Sequence, residues 1–334
     1  MTKQTKKNFA LALSLLGLAL IPSTSLAQVG AASKFPGSRP AVAAAQAAGR
    51  QTQSPGSPDM SLTFGMVDFP GQMDTAGSAA NVKGEIIGGY GTNSVGDGAS
   101  NHGFLLKGTK FTEIDYPGAE WTQPNAISDS GAIVGSYGVS SSGEQGFKLV
   151  GKTYTTIDYP GATLTTANGI NKSGDIVGYQ YSGGTGHGFL LSKAAFTSID
   201  VPGAVGTDAY GINNAGEIVG VYYNDDGSSH AFLLQSGTFT TIDYPGAYPQ
   251  NYAAGINDQG EIVGGYGEVT TINGLTYSWE HAYIYQNGQF TNADVPFGPP
   301  AATQPFSISN NGVIVGEYVD NSGTVYGYEA TVGP

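Results

Sequence analysis

The four histidines of the chain, His102, His187, His230 and His281, each stand thirteen residues before an aspartate: Asp115, Asp200, Asp243 and Asp294. Gln145 holds the same place before Asp158. Two chemistries suit this spacing. Histidines arranged around an axis could bind a metal. Alternatively, a His and an Asp on adjacent strands of one hairpin could hydrogen-bond each other, as buried polar groups require. Gln145 replaces a hydrogen-bonding His more readily than a ligating one, so the structural reading is preferred. The aspartates carry the same choice. A ring of carboxylates could hold Ca²⁺ or work as acids and bases. A residue repeated six times is better suited to capping a turn. Asn171, Asn213 and Asn257 open tight turns in the same way.

The elements that position these residues follow from the repeat. The phrase Ile-Asp-Tyr-Pro-Gly-Ala recurs with its Asp at positions 68, 115, 158, 200, 243 and 294. A second phrase, as at Glu217-Ile218-Val219-Gly220, ends at Gly88, Gly135, Gly178, Gly220, Gly264 and Gly316. The Asp-to-Gly count is 20 four times, then 21 and 22, whereas the Gly-to-His count ranges from 9 to 17. Two segments are therefore fixed in length and one loop varies. Residues 166–203 resolve into four short strands, 166–171, 175–181, 187–191 and 195–200. They are joined by an Asn-x-x-Gly turn, a Gly-rich loop and a turn at Lys193 and Ala194. Val201-Pro202-Gly203-Ala204 then fits a type II turn. Strands with adjacent apolar residues rather than clean alternation suit sheets covered on both faces. The reading is all-β: a six-bladed β-propeller of four-stranded blades. The last repeat stops after its third strand, and a lone fourth-strand phrase, Leu62 to Gly71, precedes the first. The N-terminal strand is expected to complete the last blade and close the ring.

Composition agrees. Of 334 residues, 52 are Gly and 17 Pro, which weighs against helices. With no Cys there is neither a disulfide framework nor a thiolate metal site. A net charge of −13 disfavours nucleic acid as a partner. Residues 1–27 read as a signal peptide, with Lys3, Lys6 and Lys7 before an apolar run and Ser25-Leu26-Ala27 as cleavage site. Residues 28–60 read as a flexible Ala/Gln/Gly/Pro linker, leaving 61–334 for the propeller. The expected product is exported to periplasm or medium, monomeric and not inserted in a membrane.

The units around His230-Ala231-Phe232, Ile242 to Ala247 and Gly211 to Gly220 resemble the HAF-repeat family of bacterial extracellular proteins, over residues 61–334. The resemblance implies an exported protein with repeat-built β architecture. It implies no activity and no catalytic residues. Gln145 and Tyr326 depart from its His pattern.

Function is sought where the repeat breaks. Trp121, Tyr248, Tyr252, Tyr277 and Trp279 fall in or beside the irregular loops assigned to one face, the longest being 267–280. Aromatics on a polar rigid scaffold suit stacking on sugar rings or docking a protein. The contrary reading is that they plug gaps between blades. Residues 194–334 contain 14 acids and no Lys or Arg. That half is expected to be strongly negative, with weak Ca²⁺ binding at Asn224-Asp225-Asp226-Gly227 or Asp320-Asn321-Ser322-Gly323 as the sharper reading. No cofactor or catalytic residue is assigned. The expected function is a non-catalytic module binding an extracellular polysaccharide or surface protein. The alternatives are a propeller glycosidase or lyase, with Glu120, Asp208, Glu280 and Glu317 as candidate acids, or a pure scaffold.

Overall fold

A computed structural model describes residues 61–71, 73–91, 101–139, 143–272, 275–296, 302–320 and 324–333. The signal-like segment and the linker lie outside these residues. All regular structure among the described residues is β. The chain opens with β1 (Leu62–Val67). Strand quartets follow, each antiparallel. The first is β2 (Met73–Ala80), β3 (Glu85–Gly91), β4 (Asn101–Lys107) and β5 (Lys110–Ile114). The second is β6 (Trp121–Ile127), β7 (Ile133–Val139), β8 (Gly143–Val150) and β9 (Thr153–Ile157). The third is β10 (Leu164–Ile170), β11 (Ile176–Ser182), β12 (Thr185–Ser192) and β13 (Ala195–Ile199). The fourth is β14 (Gly206–Ile212), β15 (Ile218–Tyr223), β16 (Ser229–Gln235) and β17 (Thr238–Thr241). The fifth is β18 (Tyr248–Ile256), β19 (Ile262–Ile272), β20 (Leu275–Gln286) and β21 (Gln289–Asn292). The last three strands are β22 (Ala302–Ile308), β23 (Val313–Val319) and β24 (Val325–Val332). Here β24 pairs with β1, from Leu62 opposite Val332 to Val67 opposite Gly327. This quartet is split between the two ends of the described chain. Quartets one to three are separate sheets. The rest join into one twelve-stranded sheet through single parallel bridges, Ser229 with Gln250 and Glu280 with Ala302.

The Ile-Val doublet of each second strand explains the packing. Successive strand residues point to opposite faces, so one member of the doublet packs on each side. Val134 packs with Ile176, Val177 with Ile218, and Val219 with Ile262. Val263 packs with Ile314, and Val315 with Ile86 of the first quartet. The cores thus lie in the seams between quartets. Phe104, Phe147, Phe189 and Phe232 are fully buried there, each contributing about 2 to 3 kcal/mol through lost apolar exposure. Each ring lies against the glycine that ends the second phrase. A Cβ on Gly178 would overlap the Thr166 carbonyl and approach Phe189 to 2.9 Å.

The aspartates follow a different rule from the expected one. At Asp115, Asp200, Asp243 and Asp294 the carboxylates are turned to the preceding hairpin strand rather than to the Tyr-Pro-Gly turn. They bind the histidine thirteen residues back, at 3.0 Å for His102–Asp115, 2.8 Å for His187–Asp200, 2.6 Å for His230–Asp243 and 2.8 Å for His281–Asp294. Asp243 and Asp294 also accept the third-strand amides of Ala231 and Ala282. The turn amide is capped by a residue of the next inner strand instead. Tyr116 N donates to Thr122 Oγ1 at 2.9 Å and Tyr159 N to Thr165 Oγ1 at 3.0 Å. The aromatic after the Asp crosses to the next quartet. Tyr116 stacks on Tyr137 at 3.6 Å and Tyr244 on Tyr266 at 3.8 Å. One short phrase therefore fastens two consecutive quartets.

The Asn turns behave as expected. Asn171 Oδ1 accepts the amides of Ser173 and Asp175, and Gly174 is left-handed at φ +82°. Its Nδ2 reaches the Asn213 carbonyl of the next turn, and Asn213 and Asn257 continue the pattern. Asn310 Nδ2 bonds Asp129 Oδ2 at 3.3 Å, linking the split quartet to the second one 181 residues earlier. These turns floor a cavity of about 90 Å³ lined by inner-strand residues including Asn125, Asn168, Tyr210 and Phe306.

Candidate functional site

Each inner strand bulges near its middle. Just before the bulge one residue lays its carbonyl on the second-phrase glycine. The occupants are Ala76, Gln123, Thr166, Asp208, Tyr252 and Gln304. The residue before it is a Thr in five of the six strands, whereas this level varies from Ala to Gln, Thr, Asp and Tyr. Several of these side chains reach back to the preceding quartet. Gln123 Nε2 donates to Ser78 Oγ at 3.1 Å, Thr166 Oγ1 to Glu144 Oε1 at 2.7 Å, and Gln304 Nε2 to Glu280 Oε2 at 2.6 Å.

At the seam of the second and third quartets, β8 presents Glu144 directly before Gln145. The carboxyl is 9% exposed, and burial pushes it up to about 7, with the Thr166 hydroxyl pulling the other way. Ser136 lies beside it with its Oγ buried, and it too lowers the carboxyl. Gly138 pairs with Trp121 on one side and Glu144 on the other. The Trp121 indole covers Gly138, where any side chain would collide with it. A half-buried indole, a carboxyl and hydroxyls therefore occupy one row.

The seam of the fifth and split quartets has a related set, with its aromatic at the level of Gln123 rather than of Trp121. Tyr252 covers Gly265, and its hydroxyl bonds the Glu280 carboxyl. Burial raises Glu280, while Tyr252 and Gln304 lower it. Tyr328 replaces the usual phenylalanine and is fully buried, with its hydroxyl unpartnered. Tyr283, at the same place one quartet earlier, donates to the Tyr252 carbonyl at 2.9 Å. The intervening acid, Asp208, is 3% exposed. Burial brings it to about 7, and Tyr223, donating at 3.2 Å, partly offsets that. No lysine charge acts on Glu144, Asp208 or Glu280. Such carboxyls donate or accept hydrogen bonds near neutral pH.

Of the aromatics proposed from sequence, Trp121 and Tyr252 are brought to these rows, on strands rather than in loops. Residues 267–272 and 275–280 pair as an extension of the β19–β20 hairpin rather than forming an irregular loop. Strand pairing continues there because nothing interrupts the register. The side chains of Tyr248, Tyr277 and Trp279 lie outside the described residues. Asp208 and Glu280 are among the acids singled out, and Glu144 was missed. The signal for it was available: Glu144 and Glu280 both directly precede the His position. The Asn224–Gly227 turn is closed internally, with Asp226 accepting the Ser228 amide at 2.9 Å. Among the described residues no three His, Cys, Asp or Glu cluster as a metal site. No described helix is long and apolar enough to cross a membrane.

No family model and no curated protein matches the chain. Solved structures do. AofleA from Arthrobotrys oligospora aligns at a TM-score of 0.50 with 11% identity, over 82% of this chain and 87% of that one. The gluconolactonase XC5397 from Xanthomonas campestris aligns at 0.50 with 9% identity, over 88% and 99%. TolB from Acinetobacter baumannii aligns at 0.50 with 12% identity, over 74% and 66%. At such identities the likeness concerns fold alone, and the fold is all-β and propeller-like.

Proposed function

We propose that the chain is an exported six-bladed β-propeller, closed by β1, that binds an extracellular carbohydrate without turning it over. Two features support the ring: the pairing of Val315 with Ile86 completes the cycle of seam cores, and Asn310 meets Asp129. The signal-like residues 1–27 support export. The observation that carries binding is that two seams each bring together an aromatic ring over a strand glycine, a glutamate on the third strand, and a hydroxyl or amide from the next inner strand. Aromatic faces and convergent polar groups are what sugar rings require.

The test is a titration of intrinsic tryptophan fluorescence with a panel of soluble polysaccharides. Saturable binding, lost in Trp121→Ala and in Tyr252→Ala while the fold is retained, supports the reading. Unaffected binding in both variants refutes this placement. A second reading, a glycosidase, is favoured by one observation: Glu144 and Asp208 both titrate near neutrality, where an acid catalyst works best. Release of reducing ends, abolished in Asp208→Asn, would establish it.

A further inference from the structure

We infer that the Asn-turn end of the inner strands offers a site for a small carboxylate, between the turns of the second and third quartets. It stands apart from the carbohydrate reading. The residue after each capping Asn or Ser is at position 82, 129, 172, 214, 258 or 310. Its main-chain amide is directed at the side chain of its counterpart one quartet on. Val82 N donates to Asp129 Oδ1 at 3.3 Å. Lys172 N donates to Asn214 Oδ1, Asn214 N to Asp258 Oδ1 and Asp258 N to Asn310 Oδ1, each at 2.8 Å. The series breaks after the second quartet. Lys172 stands where an acceptor oxygen is required, and a lysine side chain has none. Among the described residues the Asp129 amide has no hydrogen-bond partner. A second link is missing at the same step. Asn81, Asn171, Asn213 and Asn257 each donate Nδ2 to the carbonyl of the next capping residue. The second turn is capped instead by Ser128, whose hydroxyl is spent on Ser130 and the Ala132 amide of its own turn.

The gap opens on space. Ser128, Asp129, Asn171 and Lys172 all line the cavity of about 90 Å³, and Lys172 is exposed, so solvent reaches that end. No ion pair holds the Lys172 ammonium; Lys107 with Glu85 is the only lysine pair among the described residues. A free N–H and an unpaired ammonium therefore border one gap, where the other turns place an Asn or Asp side-chain oxygen. A carboxylate supplies that oxygen, with one oxygen on the Asp129 amide and the other on Lys172. Such charge-assisted bonds are the stronger kind. Asp129 turns its own oxygens to Val82 N and Asn310 Nδ2. With Asp258 also on the lining, the cavity admits a single negative charge beside Lys172 and disfavours phosphate or a diacid. Its room for several waters limits the ligand to an acid of about two to four carbons. The series also breaks from Asn310 to Val82, but Val82 brings no cation and no site is assigned there.

The test is a sodium acetate titration of the ¹⁵N-labelled full chain, followed at the Asp129 amide by NMR. The expected result is a saturable shift with a dissociation constant on the order of millimolar, which so small a ligand can reach. Lys172→Met and Lys172→Asn should each weaken it roughly tenfold or more. Lys172→Asn has a second signature. Its Oδ1 should fill the gap, so that the Asp129 amide is shifted before any acetate is added and Tm exceeds that of Lys172→Met. An Asp129 amide that acetate does not move, or that sodium chloride moves as far at equal ionic strength, overturns the site. Phosphate binding as tightly as acetate overturns the carboxylate assignment, and glucuronate binding more tightly overturns the limit on size. Undiminished acetate binding in both Lys172 variants, each folded by circular dichroism, overturns the role of Lys172. None of these outcomes bears on Trp121 or Tyr252, so the carbohydrate reading is tested separately.

Discussion

Glu144 and Asp208 make stability fall as pH rises. Both carboxyls are held above their ordinary values of 4.5 and 3.8, at about 7, because burial penalises the charged form. Below the unfolded values both states are protonated and nothing is lost. As pH rises, the unfolded chain ionises first and is favoured. Stability therefore declines from about pH 4 until the folded carboxyls ionise near 7, then levels. At about 1.36 kcal/mol for each step of one in pKa, Glu144 contributes about 3 kcal/mol and Asp208 about 4. For a ring of this size, that is a fall in Tm of roughly 10 to 20 °C between about pH 4.5 and 8. General repulsion in so acidic a chain acts in the same direction, so the informative quantity is the difference from Glu144→Gln/Asp208→Asn. The amide oxygens still accept from Thr166 and Tyr223. The double variant should lie close to the parent at low pH and well above it at about pH 8 by calorimetric melting. Parallel pH profiles for parent and variant would refute the claim that these two groups are buried and uncompensated.

Four further substitutions test the fold. Gly178→Ala drives a methyl into the Thr166 carbonyl and Phe189, and should cost about 3 kcal/mol or more; Gly174→Ala, left-handed but meeting only the end of the Lys148 side chain at 3.5 Å, should cost about 1 kcal/mol by denaturant titration. Gln180→Tyr should stabilise by about 1 kcal/mol, because Gln180 Oε1 is buried and unpartnered where other quartets place Tyr90, Tyr137, Tyr222, Tyr266 and Tyr318. Tyr159 and His187 are there to meet the new ring, as Tyr116 meets Tyr137 and His230 meets Tyr222. Ala194→Gly should raise stability by about 1 kcal/mol by relieving a left-handed alanine at φ +64°, read as a higher denaturation midpoint.

The His–Asp spacing was legible as a pair because a hairpin fixes which residues face each other, and thirteen residues never vary. The role of the aspartate was not legible as a cap. The turn amide is satisfied by Thr122, Thr165 and their equivalents six residues on, across a chain reversal that a local reading of the turn does not include. Trp121 and the 267–280 segment read as loop because the connection lengths vary, yet β-pairing extends wherever two strands leave a turn in register. Burial at Glu144 was invisible for another reason. It depends on Thr166 of the next quartet, and no single repeat contains both.

That dependence has a rule, and the rule can be tested. Glu144 meets Thr166 at a separation of 22 residues, and Glu280 meets Gln304 at 24. The difference of two matches the longer Asp294-to-Gly316 segment, 22 residues against 20 from Asp158 to Gly178. At these two seams the residue before the His position faces the variable level of the following inner strand. At the third quartet that residue is Gly186, and its partner is Asp208, with 3.5 Å from an added Cβ to Asp208 Oδ1. Relative to the second seam, the acid has moved from the third strand to the following inner strand. Gly186→Glu with Asp208→Thr should rebuild the Glu144–Thr166 arrangement one quartet later, beneath the exposed Tyr181 that pairs with Gly186. The new carboxyl should titrate near neutrality by NMR, and ligand stoichiometry should rise by one site. A new carboxyl titrating like a solvated glutamate would show that register alone does not build the seam, and that the neighbouring Ser136 and Trp121 are needed as well.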